Sequence, residues 1–195
     1  MRGSSRLGLL LIFLGALAAC GRAPLHHQEA FVFGTRVEVL IAGLPEAQAR
    51  PAAAAVLREF DRLHRTYHAW KPSELSALNA ALAAGRRQAV TSEMATLIAD
   101  AQRLALASEQ LFDPGIGRLV SLWGFQSDDL PAALPDAGAL AAWRAARPGI
   151  ADVQLDDQVA ASRKREVALD FGGYLKGVAL DRAAAILAAQ GVHDA

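Results

Sequence analysis

Residues 169–181, Leu-Asp-Phe-Gly-Gly-Tyr-Leu-Lys-Gly-Val-Ala-Leu-Asp, gather two carboxylates, three glycines and a lysine into one short stretch. Such a set can bind an anion. Leu169 and Phe171 flank Asp170 as on a strand, and residues 178–187 carry helical spacing. Between them Gly172 and Gly173 permit backbone geometry that side chains forbid. A helix N-terminus offers unpaired N–H groups and the positive end of a dipole, so a glycine-lined turn beside Lys176 can cradle a phosphate or pyrophosphate. The same residues also suit an ordinary strand-to-helix turn.

Two other polar points have aromatic company. Tyr67 falls where a helix must end before Lys71-Pro72, and there a tyrosine can lie flat on a planar ring or close the core half-buried. Asp113 follows Phe112 and precedes Pro114-Gly115, which suits either a ligand contact or a plain turn. Other chemistries fail on spacing. Gly115-Ile116-Gly117 continues to Val120 where a dinucleotide fold needs a small residue, and after Lys176-Gly177 no Ser or Thr completes a phosphate loop. His64 and His68 are one helical turn apart, but no third ligand stands near them in the sequence, so they read as solvated helix residues. No serine lies in a Gly-x-Ser-x-Gly setting.

The elements that must position these groups follow from periodicity. Val37, Val39 and Ile41 alternate with polar residues, which predicts a strand entered through Phe33-Gly34-Thr35. A helix with Pro51 in its first turn carries Val56, Phe60, Leu63 and Tyr67 on one face. Thr91 or Ser92 caps another, with Met94, Leu97, Ile98, Ala101 and Leu104 as its inward stripe. Residues 126–137 read as a loop, 138–147 as a short helix with Trp143, and 152–171 as strands turning at Asp156-Asp157. Helices and strands alternate irregularly, so the expected class is α+β rather than doubly wound.

The chain has 195 residues, 53% hydrophobic and 21% charged, which suits one folded domain and excludes a disordered one. Basic and acidic residues balance at 20 each, and no basic tract or aromatic platform recommends nucleic acid. Residues 1–19 look like an export signal: Arg2 and Arg6, an apolar run too short to span a bilayer, then Leu17-Ala18-Ala19-Cys20. That tetrapeptide resembles the lipobox of bacterial lipoproteins. Cys20, the single cysteine, would then carry lipid and hold the protein at a bacterial cell membrane on its periplasmic side; a plain signal peptide is the alternative. Residues 20–29 read as a tether and 30–195 as the domain. Gly191 caps the last helix and Val192 begins what looks like a further strand, so the domain is expected to be incomplete at its C-terminal end.

Taken together, the segments resemble the ApbE family of flavin transferases. The matching pieces are Phe33-Gly34-Thr35; Phe60-Asp61 through Thr66-Tyr67 to Pro72-Ser73-Glu74-Leu75 and Asn79; Phe112-Asp113-Pro114 through Leu119-Val120 to Leu122-Trp123-Gly124-Phe125; and Leu169 through Lys176-Gly177 to Asp181. The resemblance implies a single α+β domain with a mixed or antiparallel sheet and packed helices. It also implies a magnesium-dependent enzyme that splits FAD and transfers FMN to a threonine of an acceptor protein, releasing AMP. A flavin-binding lipoprotein and an FAD pyrophosphatase are the alternatives. By motif position Phe33, Tyr67, Leu111, Phe112, Asp113, Asp170 and Lys176 would contact FAD, with Tyr67 stacked on the isoalloxazine, and the carbonyl of Gly173 would reach the metal. Phe33 stands where the family usually has methionine, Gly115 where it has threonine, and Gln126 where it often has glycine.

Overall fold

A computed structural model describes residues 23–126 and 133–195. The expected class holds: helices pack on antiparallel strands in one domain. Strands β1 (Leu25–Val32) and β2 (Thr35–Ala42) form a hairpin. A second sheet orders β3 (Gln88–Ala89), β5 (Val159–Ser162) and β4 (Val153–Asp156). The long helices are α1 (Glu46–Thr66), α2 (Glu74–Ala83), α3 (Ser92–Ala107) and α6 (Tyr174–Ala189). Between them lie two shorter ones, α4 (Gly117–Leu122) and α5 (Ala137–Ala146).

The tether is shorter than its sequence suggests, because residues from Leu25 onward already belong to β1. The inward side of that strand carries His26, Gln28, Ala30 and Val32, opposite Ile41, Val39, Val37 and Thr35, so it shows no apolar alternation to read. Phe33 and Gly34 make the two-residue turn, both with left-handed backbone at φ 53° and 69°. A type I′ hairpin turn demands this, and Gly34 meets it freely. Phe33 does so against its Cβ, at a cost on the order of 1 kcal/mol.

Helix α1 starts at Glu46, so Pro51 lies beyond its first turn. Pro51 and Ala47, whose carbonyl the proline leaves without a helical donor, are both exposed, so water can satisfy that group. Ala49, Ala52, Ala53, Val56, Phe60 and Leu63 face inward. Helix α2, absent from the periodicity reading, starts with a reciprocal cap between Ser73 and Ser76. Thr91 caps α3 by accepting from the Met94 amide, and the expected stripe is buried except that Ala105 replaces Leu104 as its last member. The β4–β5 turn falls where the paired aspartates predict, with Asp157 left-handed at φ 53°.

Candidate functional site

Residues 169–173 lead into helix α6 and belong to neither sheet. Their backbone is held from three sides instead. Asn79 on α2 donates from Nδ2 to the Leu169 carbonyl at 2.8 Å and accepts the Leu169 N–H at Oδ1 at 2.7 Å. The Asp170 amide donates to the Pro114 carbonyl at 2.8 Å, and Ala168 bridges Ile116. Helix α6 then begins at Tyr174, four residues earlier than its periodicity indicates. Gly172 and Gly173 do not adopt left-handed backbone; Gly173 sits at φ −76°, a conformation open to any residue. Their value lies in what they leave uncovered. A Cβ on Gly173 would meet nothing within 4 Å, so the first turn of α6 stays bare.

Two cavities adjoin at this segment. The larger, about 500 Å³, is walled by aromatic side chains of Phe33, Tyr67, Trp70 and Phe125, with His64, His68, Lys71 and Asp170 among them. The smaller, about 280 Å³, is lined by Leu111, Phe112, Asp113, Asp170, Gly173 and Tyr174. Asp170 borders both, and its Oδ1 accepts the Gly172 amide at 2.8 Å. Thus Tyr67 lines the larger cavity, Asp113 the smaller, and Asp170, distant from both in sequence, stands between them. Lys176 lines neither cavity; its side chain is exposed on the first turn of α6.

Tyr67 takes the core alternative. It is only 2% exposed, a floor to the larger cavity rather than a free-standing plate. Its hydroxyl donates to Glu93 Oε2 at 2.6 Å. Glu93 also accepts from Arg62 at 2.7 and 2.9 Å and from Arg182, while Glu59 pairs with Arg62 and Arg182. This network ties α1, α3 and α6 together behind the cavity. The Arg62 hydrogen bond holds the Glu93 carboxyl down at about 2, against the opposing push of burial. Burial and the Glu93 carboxylate raise the Tyr67 hydroxyl above its ordinary range, so it remains a donor.

Asp113 is anchored to backbone. Its Oδ1 accepts the amides of Gly115 at 2.7 Å and Ile150 at 2.9 Å, fastening the turn before α4 to the 3-10 turn Ile150–Asp152. Gly115 and Gly149 let the two backbones touch, since a Cβ on Gly115 would overlap the Ile150 amide and one on Gly149 the Asp113 carboxylate. Phe112 packs against Tyr174 with ring centroids 6.2 Å apart, while Leu111 is 93% exposed at the cavity edge.

The sequence reading left out several cavity residues. His64 and His68 were expected on a solvated face, yet they meet at 5.0 Å between ring centroids and both line the larger cavity, where Phe33 sits edge-on to His64 at 5.8 Å. The helical stripe could have pointed to His64: Phe60, His64 and Tyr67 lie on adjoining positions of the face that carries Val56, whereas His68 lies beyond the helix end. Trp70, Lys71 and Phe125 had no such signal. Among the described residues the one group of three ligand side chains that could converge on a metal is His27, Glu29 and Glu38, exposed on the far side of the hairpin. Cys20 and residues 1–19, expected from the sequence to be an export signal, lie outside the described residues, and no described helix is long and apolar enough to cross a membrane.

Residues 33–195 match the profile described as the ApbE family. A protein of Rhodobacter capsulatus named FAD:protein FMN transferase is 40% identical over 199 aligned positions, covering 100% of this chain and 38% of that protein. One of the same name from Klebsiella pneumoniae is 34% identical over 126 positions, covering 64% of this chain and 35% of the relative. Among solved structures, the ApbE protein of Thermotoga maritima superposes with a TM-score of 0.76 at 26% identity, covering 86% of this chain and 53% of that one. The flavin transferase ApbE of Vibrio cholerae gives 0.75 at 26% identity, covering 87% and 55%. The chain therefore spans well under half the length of these curated relatives and about half that of the solved structures.

Proposed function

The chain belongs to the ApbE family, and from that membership we propose that it binds FAD across its two adjoining cavities and serves the transfer of FMN to a threonine of an acceptor protein, with AMP as the other product. The observation that carries this reading is the shared border at Asp170. On one side lies an aromatic hollow fit for a planar ring system; on the other, the first turn of α6, where the Leu175 amide already bonds the Phe171 carbonyl but the positive end of the helix dipole still suits a phosphate. The names of the relatives point the same way.

In the proposed reaction the threonine oxygen bonds to the phosphorus on the flavin side. The bridging P–O bond breaks with its electron pair onto AMP, and the hydroxyl proton passes to solvent. We assign no residue as the base. The chain's own residues bind and orient: Phe33 and Tyr67 border the ring, Phe112 and Leu111 line the second hollow, and Asp170 stands at the junction.

Magnesium belongs to the family resemblance, and the residues described here do not suffice to hold it. The carboxylates lining the smaller cavity are those of Asp113 and Asp170, and in each one oxygen already accepts backbone N–H groups. A hard dication takes about six oxygen ligands, so no step is routed through it.

Incubation with FAD, magnesium and a threonine-bearing acceptor tests the reading. A fluorescent acceptor means transfer, free FMN means hydrolysis to FMN and AMP, and bound but unaltered FAD means a flavin-holding lipoprotein. A lipid anchor at Cys20, holding the protein on the periplasmic side of a bacterial membrane, is part of the same proposal and rests on the Leu-Ala-Ala-Cys stretch. Recovery of Cys20→Ser in the same detergent fraction as the parent overturns that part.

A further inference from the structure

His68, on the wall of the larger cavity, has a ring tautomer fixed by the backbone around it. After α1 ends, the chain turns through residues 68–71, and His68 Nδ1 organises the turn by accepting the amides of Trp70 at 3.1 Å and Lys71 at 3.2 Å. A ring nitrogen that accepts carries no proton, so neutral His68 is held with its proton on Nε2. That Nε2 has no hydrogen-bond partner among the described residues. The side chain lines the larger cavity.

We infer that His68 is a specificity-determining donor, whose Nε2–H hydrogen-bonds an acceptor atom on the edge of the ring system held in the larger cavity. The inference rests on the flavin reading and deepens it. The aromatic wall of Phe33, Tyr67 and Trp70 accepts any flat ring, whereas a donor of fixed tautomer favours a ring bearing carbonyl or imine acceptors, as an isoalloxazine does. A ring without such an acceptor would strand the donor in a cavity emptied of water.

The surroundings keep the imidazole in this state. Protonating Nδ1 would aim its new N–H at two amides that already point there, breaking the turn. Burial, the neighbouring His64 ring and Lys71 all lower the pKa of His68 below its ordinary value, and Asp170 alone opposes them. The neutral, Nε2-protonated form is therefore the one present at neutral pH.

Two substitutions separate the turn from the donor. His68→Asn retains an acceptor oxygen where Nδ1 sits and deletes the Nε2 donor; His68→Gln places an amide N–H near Nε2 but withdraws the acceptor from the turn. Riboflavin and FAD are titrated by flavin fluorescence into the parent and both variants at pH 7.5, alongside thermal melts. Expected are an unchanged melting temperature and roughly tenfold weaker binding of both flavins for His68→Asn, and a lowered melting temperature with binding within about threefold of the parent for His68→Gln. Parent affinity should also fall as the medium is acidified through the His68 transition, a loss missing from His68→Asn. Flavin binding by His68→Asn equal to that of the parent overturns the inference. So does a loss of binding that tracks a loss of melting temperature in both variants. A parent that binds neither flavin overturns the flavin reading itself, and this inference with it.

Discussion

Asn79 and Leu169 lie 90 residues apart and exchange two hydrogen bonds, side-chain amide to backbone, at 2.8 and 2.7 Å. The pair does for an irregular segment what a neighbouring strand would do in a sheet. It fixes the residue just before Asp170, and thus the carboxylate that borders both cavities. Asn79→Ala strips one donor and one acceptor and leaves the Leu169 amide and carbonyl unpaired, at a cost of about 2–3 kcal/mol in urea unfolding. Asn79→Asp keeps the acceptor alone and should fall between parent and alanine. Both should weaken FAD binding at temperatures where the protein is still folded.

Burial of Tyr67 reverses what a stacking role alone would imply. An exposed plate could be removed with little effect on stability, but Tyr67→Ala here empties a site that is 2% exposed, so a loss of about 3–5 kcal/mol is expected by chemical denaturation. Tyr67→Phe keeps the ring and removes only the bond to Glu93, costing about 1–2 kcal/mol. If the ring alone serves the cavity, Tyr67→Phe retains flavin affinity.

The glycines of the two motifs should respond in opposite ways. Gly115→Ala drives a methyl into the Ile150 amide and should destabilise by about 2–4 kcal/mol. Gly173→Ala meets open space on backbone any residue adopts, so it should leave the melting temperature unchanged or raise it slightly. A methyl there also covers the first turn of α6, and weaker FAD binding by an equally stable Gly173→Ala would place phosphate against that turn.

Acid should loosen the network behind the cavity. The folded Glu93 carboxyl lies at about 2, below its ordinary 4.5, because Arg62 hydrogen-bonds the charged form. Its stabilising contribution is complete above about pH 4.5 and is lost as pH falls toward 2. The urea midpoint of the parent should drop across that window, and Glu93→Gln, less stable at neutral pH, should drop less.

Phe33 holds a left-handed position in the hairpin turn while its ring packs at 6.2 Å from Phe60 and 5.8 Å from His64. Phe33→Asn relieves about 1 kcal/mol of backbone strain and forfeits a similar amount of ring contact. Stability should move by less than about 1 kcal/mol while FAD affinity declines, as calorimetric titration can measure.

The sequence alone determined whatever depends on neighbours along the chain. The Thr91 cap and the stripe from Met94 to Ala101 specify α3, the aspartate pair specifies the β4–β5 turn, and the four ordered motifs point to the family. Local signals of this kind survive folding because cap, helix face and turn are each satisfied within a few residues. Tertiary structure alone decided the rest. Strand β1 gave no alternation, since His26, Gln28 and Ala30 occupy its inward side, and only pairing with β2 makes it a strand. The Leu169 segment looks like a strand but finds its partners in Asn79 and Pro114. Tyr67 became core, and His64 and His68 became cavity wall, because Glu93, Arg182 and Asp170 arrive from distant helices and loops. Side-chain burial and hydrogen-bond partnership depend on what folding brings alongside, and a chain read in order carries no such neighbours.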